Sequence, residues 1–119
     1  MDLILSEKDR ASGAIGIMVC DEHHQGLQPL VLNDVPDTHE LVEGLTKLLD
    51  VVLPLVFERD GSVLIGRGRP HGSRPDDLDR ACHQRAIEVC AAHEVPLLGF
   101  HVATLDAVFA MPQPHVAAS

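Results

Sequence analysis

The amino-acid sequence predicts a single-domain α/β (α+β) protein, built from a small mixed sheet and two main helices. Three observations favour this class: short apolar runs bounded by turn residues, two segments with apolar residues at helical spacing, and a length that suits one domain. The chain has 119 residues, of which 45% are hydrophobic and 23% are charged, as is typical of a globular domain. We expect residues 1–111 to form this domain and residues 112–119 to be a loose C-terminal tail.

The first half of the chain has the pattern of a β-hairpin followed by a helix. Residues 13–20 are a short apolar run, residues 21–26 are typical of a turn, and residues 27–33 form a second apolar run, so the two runs are predicted to pair. Asp37 and Glu40 have the spacing of a capping box and predict the start of a helix. Apolar residues then recur at helical spacing, at Leu41, Leu45, Leu48, Leu49 and Val52.

The second half of the chain alternates between apolar runs and one long helical pattern. Pro54 leaves residues 52–58 open, because they fit either a last, kinked turn of the helix or a strand. The further predicted elements are a strand over 62–66, a loop over 67–75, a helix over 76–93 and paired strands over 97–103 and 108–110. This order predicts helices packed on a small sheet.

Charge and cysteine content restrict the partners and the compartment. The formal net charge is −9, with 9 Lys and Arg against 18 Asp and Glu; this excess repels phosphate, so we expect no nucleic-acid partner and no membrane. The first residues lack the pattern of a signal peptide, and the three cysteines have no framework spacing. We therefore expect a cytoplasmic protein without a cofactor, in which Cys82 and Cys90 pack in the core.

Residues 62–109 carry a family resemblance. A predicted strand ends in Arg67-Gly68-Arg69-Pro70, and Asp79 follows at the next helix. The segment that leads into the later strand reads Glu94-Val95-Pro96-Leu97-Leu98-Gly99-Phe100-His101. In order and spacing these segments resemble the JAB/JAMM domain in its bacterial RadC-type form. In that family a strand ends in His-x-His-Pro, Ser-x-x-Asp enters a helix, and the next strand reads roughly Gly-Ile-Pro-Leu-Leu-Asp-His. The resemblance implies a JAB-like layout for the chain.

The same resemblance implies that the family's chemistry is missing. In the family, two histidines and the aspartate hold zinc, a glutamate activates the zinc-bound water, and a serine stabilises the oxyanion. By position, Arg67 and Arg69 replace the histidines, Asp76 replaces the serine, and Asp79 is retained. Arginine stays protonated and has no lone pair for a metal. The resemblance therefore implies a metal-free relative without the family's peptidase activity.

The two arginines suggest a physical replacement for the metal. Arg67 and Arg69 are two residues apart at a strand end, so both side chains are expected on one face. A guanidinium group there could take the place of the cation and pair bidentately with Asp79 or Asp76. Together with Arg74, the arginines also form a local basic region that could receive a phosphate or carboxylate. Internal pairing with the neighbouring aspartates is the alternative interpretation.

Two other groups of residues have ligand chemistry. Asp79 and His83 are four apart, a spacing that places both on one helix face, and His71 would complete a three-ligand metal site. Pairs at this spacing also occur by chance in many helices. Residues 20–24, Cys-Asp-Glu-His-His, contain ligand-type side chains, but consecutive polar residues are ordinary in a hairpin turn.

From these observations we expect a non-catalytic protein-interaction module with a degenerate, metal-free JAB-like fold. Its partner is expected to be another protein or a second copy of the chain in a homodimer, because small sheets leave edge strands that often pair. Two alternatives stay open. One is a metal-dependent hydrolase with a relocated site at His71, Asp79 and His83. The other is a small-anion or nucleotide-binding regulator that uses the arginine-rich loop.

Overall fold

A computed structural model of the chain describes residues 5–35 and 38–112. Within these residues, three helices and five strands alternate along the chain. They are α1 (Glu7–Ser12), β1 (Ala14–Cys20), β2 (Gly26–Asn33), α2 (Glu40–Glu58), β3 (Ser62–Gly68), α3 (Asp77–Ala92), β4 (Leu97–Ala103) and β5 (Val108–Ala110). The predicted α/β class is confirmed.

The five strands form one mixed sheet in the order β2-β1-β3-β4-β5. β1 pairs antiparallel with both β2 and β3, β3 runs parallel to β4, and β5 returns antiparallel to β4. Parallel neighbours need a crossover connection, and the segment that contains α3 provides it. The predicted hairpin and the predicted pairing of the last two strands are confirmed, and β2 and β5 are the edge strands.

The main core lies between one face of the sheet and the helices α2 and α3. Residues two apart in a strand point to the same face, and Ile15 and Ile17 of β1 are buried together with Val63 and Ile65 of β3. The helices add apolar side chains at helical spacing. These are Leu41, Leu45, Leu49, Leu53 and Val56 from α2, and Cys82, Ala86, Val89 and Cys90 from α3.

Residues 52–58, for which the sequence allowed either a helix or a strand, belong to the helix α2. Pro54 lies inside α2 with an exposed side chain, while Leu53 and Val56 are buried in the core. Burial of the apolar stripe therefore outweighs the cost of an interior proline, which is about 3 kcal/mol. The helix begins at Glu40 instead of directly after Asp37. Asp37, the predicted capping residue, lies outside the described residues.

Two local features differ from the sequence prediction. α1 was not expected; it begins with a capping box in which the Ser6 hydroxyl accepts from the backbone N–H of Asp9 at 3.2 Å. Aspartate replaces the usual Glu or Gln of that motif, and six residues are too few for an apolar stripe. β3 continues to Gly68, so Arg67, predicted to begin a loop, is a strand residue. The reason is that β3 pairs on both sides, with β1 and with β4.

The predicted tail, residues 112–119, lies outside the described residues except for Pro112, and the domain limits stay a prediction. Within residues 5–35 and 38–112, no helix is long and apolar enough to cross a membrane.

Gly61→Ala is expected to destabilise the fold, because the turn between α2 and β3 packs tightly at this position. A Cβ on Gly61 would lie 2.6 Å from the carbonyl oxygen of Cys20 and 3.0 Å from Cγ1 of Val56. Since the nearest atom belongs to the backbone, the turn itself would have to move. We expect the free energy of unfolding in urea to fall by about 1–3 kcal/mol, the usual cost of overpacking.

The neighbouring residue supplies the control for this experiment. Asp60 has a φ of 53°, a conformation that glycine adopts without a steric cost from Cβ. Asp60→Gly is therefore expected to keep or raise the stability of the same turn. A Gly61→Ala variant as stable as the wild type would contradict the close packing.

Candidate functional site

The candidate site lies where β3 ends and α3 begins. Arg67 is the second-to-last residue of β3 and Arg69 follows the strand, so their side chains lie on the same side, as predicted from their spacing. Asp76 is the N-cap of α3 and Asp79 is its third residue. The two aspartates form a capping box, in which each carboxylate accepts a hydrogen bond from the other's backbone N–H, at 2.6 and 2.9 Å.

Both arginines are directed at Asp79. Arg69 binds it through two parallel contacts, Nε to Oδ1 at 3.2 Å and Nη2 to Oδ2 at 2.7 Å. Nη1 of Arg67 donates to Oδ1 of Asp79 at 2.6 Å and to Oδ1 of Asp76 at 3.0 Å. Arg67 is 1%, Arg69 8% and Asp79 0% exposed. The ion pairs form a cluster of two cations and two anions, which we call the Arg–Asp cluster; Arg67, Arg69 and Asp79 are buried in it, whereas the Asp76 side chain is 44% exposed.

Arg69 also organises the loop that joins β3 to α3. Its Nη1 donates to the carbonyl oxygen of His71, and its Nη2 donates to the carbonyl oxygen of Arg74 at 2.8 Å. The ring of Phe109 lies 6.0 Å from the guanidinium carbon, within the range of a cation–π contact. A single side chain therefore ties the loop, α3 and β5 together.

The protonation state of Asp79 depends on these neighbours. Burial by itself raises the pKa of the Asp79 carboxyl, because a buried charge loses its hydration. Hydrogen bonds from Arg69 and from the backbone N–H of Asp76, together with the charge of Arg67, act in the opposite direction and leave the pKa below its ordinary value. The carboxylate is therefore ionised at neutral pH.

The structure does not assemble the alternative metal-binding set. The exposed His71 has its Nδ1 3.5 Å from Oδ2 of Asp106, and the ring of His83 lies 5.3 Å from the ring of Phe100. Asp79 is occupied by the two arginines. Among the described residues, no three His, Cys, Asp or Glu side chains are grouped so that they could hold a metal ion.

The anion-binding alternative has limited support in this geometry. A cavity of about 180 Å³ beside the Arg–Asp cluster is lined in part by Arg67 and Arg69, but both guanidinium groups are directed at carboxylates. Arg74 is exposed, and its contribution to the cluster is a backbone carbonyl oxygen. An entering phosphate would have to displace Asp79 from its partners.

The polar turn after β1 is organised by local hydrogen bonds. Asp21 accepts from the backbone N–H groups of His23 and Gln25 at 2.8 and 2.9 Å, and the Gln25 contact makes the largest contribution to a lowered Asp21 pKa. Nδ1 of His24 lies 3.3 Å from the Ser62 hydroxyl. These contacts fit the interpretation of residues 20–24 as a structural turn.

The cysteines of α3 are buried in the main core. Burial raises the pKa of Cys82 to about 11 and that of Cys90 to about 11. A thiol must lose its proton to act as a nucleophile. Both groups are therefore protonated near neutral pH, as expected of packing residues.

An apolar groove between β2 and α2 is the surface feature that the sequence patterns did not reveal. The groove has a volume of about 280 Å³, and its lining includes Leu27, Leu30 and Leu55. Leu27 is 56% and Leu55 60% exposed, and Val51, one turn earlier in α2, is 69% exposed. The sequence signal that could have revealed this groove is that Val51 and Leu55 are apolar but lie outside the buried stripe of α2. We call this surface, extended along β2 to Leu32, the α2–β2 face.

Comparisons with known proteins do not assign the chain to a family: no family model matches it, and no curated protein matches it.

Arg69→Ala is expected to lower the melting temperature strongly, because it removes both contacts to Asp79 and the contacts to the loop carbonyls. Loss of one partner of a buried ion pair costs about 3–5 kcal/mol, which for a chain of this size corresponds to roughly 10 °C or more. Thermal unfolding followed by circular dichroism measures the change.

Arg80→Ala provides a matched control on α3. Arg80 is exposed and pairs with Asp77 at 3.0 Å on the helix surface, so its loss is expected to have little effect. A shift below about 1 °C for Arg69→Ala would count against a structural role of the Arg–Asp cluster.

The lowered pKa of Asp79 predicts a specific loss of stability in acid. A group whose pKa is lower in the folded state stabilises the fold above its unfolded pKa, about 4 for aspartate, and this contribution disappears as pH falls through the lowered value. The difference in free energy of unfolding between wild type and Asp79→Asn is therefore expected to be largest at neutral pH and to shrink below about pH 4.

Urea midpoints measured across this range test the expectation. Asp77→Asn is the control, because the Asp77 side chain is exposed and outside the Arg–Asp cluster. A difference between wild type and Asp79→Asn that stayed constant with pH would show that the Asp79 carboxylate is not held in its ionised form by the fold.

Proposed function

We propose that this chain is a non-catalytic protein-interaction module that binds its partner through the α2–β2 face. The observation that carries the proposal is the set of exposed apolar side chains around one edge strand, since exposed apolar patches commonly mark interaction sites. β2 is an edge strand with seven of its eight residues exposed. Leu27 lies on that strand, and Val51 and Leu55 of α2 extend the apolar surface beyond it.

The Arg–Asp cluster supports the non-catalytic part of the proposal. Asp79 accepts from Arg67, Arg69 and the backbone of Asp76, so its oxygens have no position left for a substrate or a metal. The proposal retains the resemblance to the RadC-type JAB/JAMM domain, as a metal-free relative. In this view a buried guanidinium pair occupies the position of the cation and holds the strand and the helix together.

The two alternative functions have less support. A hydrolase with a relocated metal needs His71, Asp79 and His83 to converge, and these side chains contact other groups. An anion-binding regulator needs accessible guanidinium groups, whereas Arg67 and Arg69 are buried. The net charge of −9 also favours a protein partner over a nucleic acid. A cytoplasmic location stays a prediction.

Site-specific photo-cross-linking in intact cells tests the proposal. A photoreactive amino acid at position 55 is expected to give a discrete covalent adduct, because the exposed Leu55 side chain lies in the groove. The same amino acid at position 105 is the control, since Leu105 is also exposed and apolar but lies beyond β4, toward the β5 edge.

The adduct at position 55 is further expected to disappear when Leu27→Glu is introduced on the other wall of the groove. Absence of an adduct at position 55, or equal adducts at both positions, would refute the α2–β2 face as the binding surface.

A further inference from the structure

We propose that the α2–β2 face is covered by a second copy of this chain, in a symmetric dimer whose two α2 helices pack antiparallel. The inference rests on the proposed function and names the partner. In a two-fold dimer the same surface is used by both copies, so the surface must be complementary to itself. The α2–β2 face meets this requirement in direction, in shape and in charge.

The direction of the face follows from the residues that line it. At one end, Leu27 of β2 lies with Leu55 of α2 and with Arg59, the C-cap residue of that helix. At the other end, a second depression contains Leu32 of β2 with Glu40 and Gly44 of α2. α2 therefore runs antiparallel to β2, and the charged residue that lines the face is Arg59 at one end and Glu40 at the other.

A two-fold axis through the middle of α2 places the Arg59 end of one helix beside the Glu40 end of the helix in the partner subunit. Residues 40 and 59, and residues 44 and 55, are equidistant from one midpoint, which lies between Leu49 and Asp50 of α2. In an antiparallel pair of α2 helices, Leu55 therefore faces Gly44 of the partner subunit, and Arg59 faces Glu40 of the partner subunit. Leu48 and Val51 are related by the same midpoint and lie between these contacts, on both sides of the axis.

The shape of the face is complementary at Gly44. Glycine in the interior of a helix costs about 1 kcal/mol relative to alanine, so its presence in α2 calls for a compensating role. A Cβ built on Gly44 would have no atom within 4 Å, so the helix surface is open there, and Gly44 lines a small notch together with Leu32 and Glu40. The side chain of Leu55, 60% exposed, fits such a notch, as helices pack with ridges in grooves.

The charges at the two ends are complementary as well. In the part of the chain that the structure describes, no ion pair involves Glu40 or Arg59. The dimer would form the Glu40–Arg59 pair twice, once at each end of the helix pair. Because two chains of net charge −9 repel each other, local attraction at both ends favours this arrangement over other apolar contacts between copies.

Sedimentation equilibrium of the full chain at micromolar concentration gives the first test. The wild type is expected to have twice the 12.9 kDa mass of one chain. Leu55→Asp is expected to be monomeric, because it places a charge against the notch of the partner. Leu105→Asp is expected to remain dimeric, because Leu105 lies between β4 and β5, at the edge of the sheet opposite β2.

Charge reversal tests the register of the two helices. Arg59→Glu and Glu40→Arg each place like charges opposite one another and are expected to raise the dimer dissociation constant about tenfold or more. The double variant Glu40→Arg/Arg59→Glu restores both pairs with the charges exchanged and is expected to recover most of the affinity. A loss caused by misfolding would not be reversed in this way.

The outcomes separate this inference from the proposed function. A monomeric wild type, or a double variant no tighter than the single variants, would overturn the dimer. If Leu55 then still gave a discrete adduct with a different protein, the interaction surface would stand with another partner. A monomer without any adduct at Leu55 would refute both.

Discussion

The carboxylate of Asp79 is the group on which the arrangement of β3, α3 and their connecting loop depends. It is fully buried and accepts four hydrogen bonds, from Nη1 of Arg67, from Nε and Nη2 of Arg69 and from the backbone N–H of Asp76. A carboxylate has about four acceptor positions, so burial leaves none unused. The charges of the two buried arginines are balanced by Asp79 and by the partly exposed Asp76, and buried charges are tolerated when they are paired in this way.

Elements with local signals could be predicted from the sequence, and elements that depend on distant pairing could not. The helix predicted over residues 76–93 is α3 with its two caps, Asp76 and His93, because the capping residues and the apolar stripe are all local. The end of β3 depends on two neighbouring strands. In the candidate site, the two-residue spacing predicted that both arginines share one face and left Asp79 or Asp76 as the partner; in the structure both arginines contact Asp79. The contacts of Arg69 with the loop carbonyls required the loop conformation, which the sequence does not specify.

The groove escaped prediction for a related reason. An apolar run indicates a strand but does not say whether the strand lies at the centre or at the edge of its sheet, so β2 had the same pattern as the buried β1. The usual distribution, with apolar side chains buried and charged side chains exposed, is thus reversed in two places. Charged side chains are buried at the end of β3 and find their partners inside the fold. Apolar side chains are exposed along β2 and α2, and in the proposal above a second copy of the chain covers them.

The capping box of α3 and the Arg–Asp cluster share the same oxygen atoms. Oδ2 of Asp79 accepts from the backbone of Asp76 and from Arg69, while Oδ1 of Asp76 accepts from the backbone of Asp79 and from Arg67. Helix ends ordinarily fray at little cost, independently of the rest of a fold. The first turn of α3 cannot unwind in this way, because release of either carboxylate would take a counter-ion away from a buried guanidinium group. Local opening at this end of the helix is thereby coupled to the separation of α3 from the sheet.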